Sequence, residues 1–207
     1  MQRTIITIAV LCSLVAGSTL AKPPSDSIRI PSHLKRALLR DPMDPQAFEQ
    51  LLRDSASIGG LPALIQYLRQ QTTKKPKAFR LRIVLGHLIR HRTNCQDALM
   101  EYNTVLESQP KNPWANEAVG DCQSQLGAWK KAIKHYKRAR KTKEDANLLN
   151  NLAIAIYEKN VKLGGKSRGD QVLKKVRTLY EQVVALEPSH YSGHLNIGKI
   201  CYRDKEY

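Results

Sequence analysis

A strongly basic segment between Lys130 and Lys143 stands out in this 207-residue chain. It contains eight lysines and arginines and no acidic residue, in a chain whose net charge is +16. On a helix, Ala132, Ile133 and Tyr136 would lie opposite most of these cations. The segment is either a solvated helix face or a binding surface for anionic lipids, polymers or acidic proteins. The predicted basic patch comprises Lys130, Lys131, Lys134, Lys137, Arg138 and Lys141.

Two histidines, His87 and His91, are four residues apart, and Cys95 follows four residues later. Histidines at i and i+4 of a helix can share a metal ion. However, no carboxylate completes the set, and position 95 is expected beyond the end of that helix. We therefore predict no metal site and no other cofactor.

Residues 160–171, NVKLGGKSRGDQ, contain two short matches to functional motifs. GGKS is similar to the end of a phosphate-binding loop, but that motif requires a glycine at position 160, where this chain has asparagine. RGD, at residues 168–170, is a match of only three letters. The glycines and cations instead predict a basic surface loop, and such loops often carry contact residues.

The sequence contains no recognisable catalytic motif. A nucleophile elbow, an HExxH pair and paired carboxylates in an apolar setting are all absent. We therefore expect a protein that is not an enzyme. RNA-binding aromatic motifs and zinc fingers are also absent, which disfavours nucleic acid as a partner.

Proline spacing indicates the elements that would position these residues. Pro42, Pro76 and Pro110 are 34 residues apart, a further 34 residues lead to Glu144, and a longer interval leads to Pro188. Proline ends helices, and a period of 34 residues is that of a repeated helix pair. Repeat positions are counted from the third residue after each proline. Position eight holds Leu52, Gly86, Gly120, Ala153 and Gly198. Position twenty holds Leu64, Ala98, Ala132 and Val176, and position twenty-four holds Leu68, Tyr102, Tyr136 and Tyr180.

The stretches that carry this pattern include LGHLIRHRTNCQDALMEYNTVLESQP, VGDCQSQLGAWKKAIKHYKRA, NNLAIAIYEKN and LYEQVVALEP. Over residues 31–207 the chain resembles the tetratricopeptide-repeat (TPR) family. The resemblance implies an all-α fold, a right-handed α-solenoid of antiparallel helix pairs. The expected units are a linker at 22–30, a capping helix at 31–44, a divergent repeat at 45–78, repeats at 79–112 and 113–145, a repeat at 146–190 with a loop inserted at about 160–171, and a first helix alone at 191–207.

The resemblance also implies where a partner would bind. In TPR proteins the first helices of the pairs line a concave surface, and some members bind peptides there. Asn151 and Asn196 occupy equivalent positions, and an amide that both donates and accepts can hold a peptide backbone; the alternative is that both only pack helices. The predicted groove residues are Arg80, His87, Arg90, His91, Trp114, Asp121, Gln125, Asn150, Asn151, Tyr157, Asn196, Lys199 and Arg203.

The N-terminus has the pattern of an export signal. Arg3 precedes an apolar run over residues 5–15, and small residues precede Ala21. Cleavage after Ala21 is favoured over cleavage after Ser18, and an uncleaved membrane anchor is the remaining alternative. We expect an exported TPR protein, periplasmic in a Gram-negative cell and otherwise secreted.

Export bears on the three cysteines beyond residue 21, which are Cys95, Cys122 and Cys201. Small buried side chains are the favoured interpretation, and a Cys95–Cys122 disulfide is the alternative. The last predicted repeat ends before its second helix, so Ile197, Ile200 and Tyr202 are expected to lack an intramolecular cover. Either further residues or a partner would then cover that end.

The expected function is an exported, non-enzymatic scaffold that binds a partner protein or peptide in the concave groove, with assembly of an envelope complex as its setting. The alternative is an adaptor that binds anionic envelope polymers or lipid surfaces through residues 130–143.

Protein purified from the cell envelope should begin at Lys22, because the small residues before Ala21 suit signal peptidase. Intact-mass measurement and N-terminal sequencing would check this. A chain that retains residues 1–21 would instead show that the segment stays on as an anchor.

Overall fold

The computed structural model describes residues 28–162 and 169–205, which form α-helices joined by short turns. A 3₁₀ turn at Ala56–Ile58 joins α2 to α3, and a π-helical turn at Glu158–Lys162 follows α8. No strand occurs in these two ranges, so the predicted all-α class is confirmed. The α-helices are α1 (Ser32–Arg40), α2 (Pro45–Ser55), α3 (Gly60–Lys74), α4 (Phe79–Arg92), α5 (Cys95–Ser108), α6 (Pro113–Gln125), α7 (Trp129–Ala139), α8 (Ala146–Tyr157), α9 (Gly169–Leu186) and α10 (Tyr191–Lys205).

Local chemistry explains where several helices begin. A capping side chain accepts a hydrogen bond from a backbone N–H of the first turn, which would otherwise lack a partner. Pro45 and Pro113 follow two of these caps as the first helical residue, where a missing N–H costs nothing. The capping residues are Asp44 for α2, Asn94 for α5, Asn112 for α6 and Asp145 for α8.

The helices form antiparallel pairs that stack into a right-handed solenoid, as the repeat pattern predicts. The pairs are α2 with α3, α4 with α5, α6 with α7, and α8 with α9, and each pair also packs on the next. α1 contacts α2 and α4 at one end, and α10 contacts α9 at the other. The apolar core therefore lies between the helices of each pair and between neighbouring pairs.

Glycine opposite tyrosine sets the spacing within two of these pairs. Gly86 on α4 lies directly against the ring of Tyr102 on α5, and Gly120 on α6 meets Tyr136 on α7 in the same way. A methyl group on either glycine would overlap its tyrosine ring. Both tyrosine side chains are almost completely buried, so the rings have little room to move away.

The expectation for the last helix was partly wrong. Ile200 of α10 is buried, because α10 packs on α9 and forms part of the same apolar cluster. Ile197 is half-buried, whereas the side chain of Tyr202 is 69% exposed. The packing between α9 and α10 therefore covers part of the surface that was expected to be bare.

Several predicted segments lie outside the description. Residues 1–27 include the predicted signal peptide and most of the predicted linker, and residues 163–168 belong to the predicted inserted loop. Within the two described ranges, none of the helices combines the length and the apolar character that a bilayer-spanning segment needs.

Substituting Gly86→Ala or Gly120→Ala should lower the free energy of unfolding by about 1–3 kcal/mol, because the added methyl group overpacks a buried ring. Gly198→Ala is the matched control. Its added methyl group meets nothing within 4 Å, so removing a helical glycine should stabilise the protein by about 0.5–1 kcal/mol. Urea denaturation would measure all three, and a stable Gly86→Ala variant would contradict the close packing.

Candidate functional site

A line of polar side chains connects the first helices of successive pairs, and we call it the polar ladder. It runs through α4, α6, α8 and α10 and consists of Arg90, Asp121, Asn151, Asn150 and Asn196. The first helices lie side by side in the stack, so hydrogen bonds between them join residues 30 to 46 positions apart in sequence.

Asp121 is the centre of the polar ladder. Its carboxylate lies 3.5 Å from a guanidinium nitrogen of Arg90 and accepts hydrogen bonds from the Tyr136 hydroxyl at 2.8 Å and the Asn151 amide at 3.2 Å. Burial raises the pKa of Asp121, while Arg90 and these hydrogen bonds act in the opposite direction. Asp121 therefore joins α4, α7 and α8 at one point.

The asparagines continue the polar ladder to α10. The amide of Asn196 donates to the side-chain oxygen of Asn150 at 3.2 Å, and the amide of Asn150 lies 3.5 Å from the side-chain oxygen of Asn151. Asn150 is buried, whereas Asn151 and Asn196 are half-buried. The two half-buried amides keep donor and acceptor capacity beyond these bonds.

His87 is not at the surface, and its expected role as a direct groove contact is wrong. The ring is buried, with Nδ1 2.9 Å from the Tyr102 hydroxyl and Nε2 2.9 Å from the Met43 sulfur. Burial, followed by the positive charge of Arg90, lowers the pKa of His87 to about 3. The same correction applies to Asn150, whose buried amide supports its neighbours.

The other predicted groove residues lie at or near the surface where their side chains are described. Arg80 stacks 4.7 Å from the ring centre of Trp114 and donates to the Leu39 carbonyl at 2.6 Å. His91, Gln125 and Lys199 are exposed, while Trp114 and Tyr157 are half-buried. Gln125 also accepts a hydrogen bond of 2.6 Å from the Cys95 thiol. The side chain of Arg203 falls outside the described part of the chain.

The predicted basic patch lies on the exposed side of α7. Its six side chains are exposed, while Ala132, Tyr136 and Ala139 on the other side are buried. Five of the six, with Ile133, line a cleft of about 410 Å³; Lys131 does not. Sequence reasoning missed the remaining lining residue, Lys159, which belongs to the turn after α8. Its only sequence signal was its position beside the predicted insertion.

Solved structures of other proteins contain a similar arrangement of helices. No family model and no curated protein matches the chain, whereas several solved structures do. MamA 41-end from Desulfovibrio magneticus RS-1 matches with a TM-score of 0.58 and 19% identity, covering 86% of this chain and 88% of that one. TTC0263, a thermophilic TPR protein from Thermus thermophilus, matches with a TM-score of 0.56 and 17% identity, covering 82% of this chain and 87% of that one. YrrB, a TPR protein with an unusual peptide-binding site, matches with a TM-score of 0.57 and 15% identity, covering 84% of each chain.

The chain has the TPR fold. The sequence resemblance implies that first helices line a concave surface; the polar ladder lies on first helices, and α7 is a second helix. The sequence similarity to these structures is low, and they inform the architecture alone.

Lys143, the last cation of the basic segment, is turned into the TPR array. Its ammonium group lies 2.9 Å from a carboxylate oxygen of Glu117 and 3.3 Å from one of Asp145. Burial raises the pKa of Glu117 to about 7, against the effect of Lys143. Asp145 also caps α8. This cluster joins α6 to the start of α8, and sequence reasoning had not paired these residues.

The cysteines carry free thiols in the structure. Cys95 and Cys122 are buried next to each other, at the start of α5 and in α6, and burial together with the Cys95 thiol raises the pKa of Cys122. In the described ranges, no group of three or more histidine, cysteine, aspartate or glutamate side chains is arranged to hold a metal ion.

The segment predicted as an insertion, at about 160–171, overlaps a π-helical turn. The π-helical turn Glu158–Lys162 continues directly from α8, and Asn160 donates a hydrogen bond to the Ile156 carbonyl at 2.8 Å. π-Helical turns are rare in proteins, but those that do occur are often found at functional sites. This turn carries Lys159 to the cleft beside α7.

His87 should make the stability of the protein sensitive to acid. The unfolded chain takes up a proton at His87 below a pH of about 6.5, whereas the folded chain does so only near pH 3. Acid therefore favours the unfolded state, and the stability due to the neutral ring is lost as pH falls below 6.5. Between pH 7 and pH 5, wild type should lose about 2 kcal/mol more than His87→Gln.

Urea titrations across this pH range would test the expectation. His33→Gln, at an exposed histidine of α1, serves as the control and should follow the wild-type curve. Parallel curves for wild type and His87→Gln would show that the ring is not held neutral by burial.

Proposed function

We propose that this protein is an exported, non-enzymatic scaffold that binds a partner protein or peptide along its concave surface. The observation that carries the proposal is the polar ladder, which runs without interruption across four first helices. A continuous row of hydrogen-bonding side chains suits a ligand that lies along the array rather than one seated at a single point.

Asn151 and Asn196 are the best candidates for direct contact. Both amides are half-buried, and each is oriented by a hydrogen bond from its own side chain to the polar ladder. An oriented amide loses little rotational freedom on binding, and it can pair with both N–H and C=O groups of a peptide backbone. One of the similar structures, YrrB, is a TPR protein with a peptide-binding site, which supports the same type of ligand here.

The positive charges near the polar ladder also indicate which kind of partner would fit. Arg90, His91 and Lys199 lie on the first helices at or near the surface, and Arg80 with Trp114 extends the row towards α1. The carboxylate of Asp121 is already paired with Arg90. A partner segment with acidic side chains would therefore complement the groove.

A scaffold is favoured over an enzyme because the buried titratable groups have structural partners. His87 contacts Tyr102 and Met43, Asp121 pairs with Arg90, and Glu117 pairs with Lys143. Each pair joins neighbouring helices, which is a sufficient reason for its burial.

The N-terminal sequence supports export, with a periplasmic location in a Gram-negative cell and secretion otherwise. Assembly of an envelope complex is then the setting we propose. The alternative, an adaptor for anionic envelope polymers or lipid surfaces, is favoured by the cation-lined cleft beside α7. Nucleic acid is disfavoured as a partner by the same export signal.

The groove proposal is tested by changing its amides. The chain beginning at Lys22 would capture proteins from envelope extract, and peptides from each captured protein would be titrated by fluorescence anisotropy. Asn151→Ala with Asn196→Ala should weaken the groove ligand by about 1–3 kcal/mol, because peptide groups would lose their partners on binding.

Asn103→Ala is the matched control, since Asn103 is exposed on the second helix α5. Its affinity should equal that of wild type. Thermal unfolding of each variant separates lost contacts from lost stability, because Asn151 also supports Asp121. A folded double variant with unchanged affinity would remove the polar ladder from the binding site.

A further inference from the structure

The cleft beside α7 is formed by two separate elements. Lys130, Ile133, Lys134, Lys137 and Arg138 come from α7, Lys141 lies just beyond its end, and Lys159 comes from the π-helical turn after α8. We call this the basic cleft. Its volume of about 410 Å³ lies within the range of small-molecule sites, which is roughly 300–1,000 Å³.

Helical spacing gives the first wall of the basic cleft. Lys130, Lys134 and Lys137 follow each other at intervals of four and three residues, so they project from one side of α7. Lys131 is equally exposed but does not line the cleft. The cleft is therefore a defined part of the basic surface.

Lys159 gives the second wall. It is exposed, and the turn that carries it is held by the continuous helix α8 and by the bond from Asn160 to the Ile156 carbonyl. In this way a cation from the next repeat faces the cations of α7. If α7 presented only a solvated basic face, no cation from a second element would be needed beside it.

The basic segment divides into cations that have partners and cations that do not. Lys143 is neutralised by Glu117 and Asp145, and Arg140 donates to Gln182 at 3.0 Å. Among the described residues, the six cations of the basic cleft form no ion pair with a carboxylate, and no acidic side chain lines the cleft. Water and salt screen these exposed charges in part, and a bound anion would reduce the repulsion between them further.

We infer that the basic cleft is a binding site for clustered phosphate groups. Lysine is a compact point charge suited to phosphate, and a ligand with two or more negative charges would relieve the repulsion between the walls. Ile133 adds an apolar contact within the cleft. Such phosphates occur on lipid headgroups and on soluble polyphosphates, and both present the same chemistry to these cations.

The inference deepens the surface-adaptor alternative and is independent of the groove proposal. The basic cleft is formed by α7 and the turn after α8, and none of its residues belongs to the polar ladder. Failure of one proposal would therefore leave the other unaffected.

Two probes distinguish the sources of phosphate. Inorganic pyrophosphate, titrated by calorimetry, represents a soluble ligand, and phosphatidylcholine vesicles containing phosphatidic acid, tested by co-sedimentation, represent a membrane. Pure phosphatidylcholine vesicles are the uncharged control. Binding to vesicles alone would assign the site to a lipid headgroup, and binding to pyrophosphate alone would assign it to a soluble ligand.

Single charge reversals test the geometry of the site. One basic residue near an anionic surface contributes about fivefold to affinity, and reversing its charge both removes that attraction and adds a repulsion. Lys134→Glu and Lys159→Glu should therefore each weaken binding by about tenfold or more. Lys131→Glu is the matched control, because it makes the same change on the same helix outside the cleft. It should retain affinity within a few-fold of wild type.

Circular dichroism would establish that each variant is folded, which is expected because all three lysines are exposed. Two results would overturn the inference. One is the absence of binding to either phosphate probe at low salt. The other is an equal loss for Lys131→Glu, Lys134→Glu and Lys159→Glu, which would indicate a diffuse charged surface instead of a site.

Discussion

The close approach of glycine and tyrosine within a helix pair is the contact on which the rest of this structure depends. Gly86 and Gly120 let the rings of Tyr102 and Tyr136 lie against the backbone of the first helix. The close packing fixes the separation of the two helices and holds each ring in one position. Because the rings are fixed, their hydroxyl groups reach the polar residue that follows each glycine, which is His87 in one repeat and Asp121 in the next.

That contact relates the apolar core to the polar ladder. Asp121, oriented by Tyr136, can then pair with Arg90 on one side and Asn151 on the other. In the following repeat the equivalent residue is Ile154, so the polar ladder continues through the asparagines and not through a tyrosine. The surface that we propose for partner binding is thus positioned by buried packing, and its side chains are oriented before any ligand arrives.

The basic segment shows the same dependence on packing. Its cations are close together in sequence, yet Lys143 is drawn inward to Glu117 and Asp145 while its neighbours remain in solvent. Partial burial of Lys143 is tolerated because two carboxylates compensate for its lost hydration. Five of the remaining cations meet Lys159 across the basic cleft. One run of charges is therefore divided between a partly buried ion cluster within the array and the exposed cations of the basic cleft.

The sequence by itself determined the class of fold, because a 34-residue period encodes contacts between neighbours that recur in every repeat. It also indicated the exposed face of α7, since helical spacing is local. Only the tertiary structure decided which polar groups are buried. His87 and Asn150 shared the pattern of groove residues but lie inside, and Lys159 carried no motif yet lines the basic cleft. The physical reason is that pairing and burial depend on partners 15 to 46 residues away, such as Tyr102 for His87 and Asn196 for Asn150, and a periodic pattern does not specify such partners.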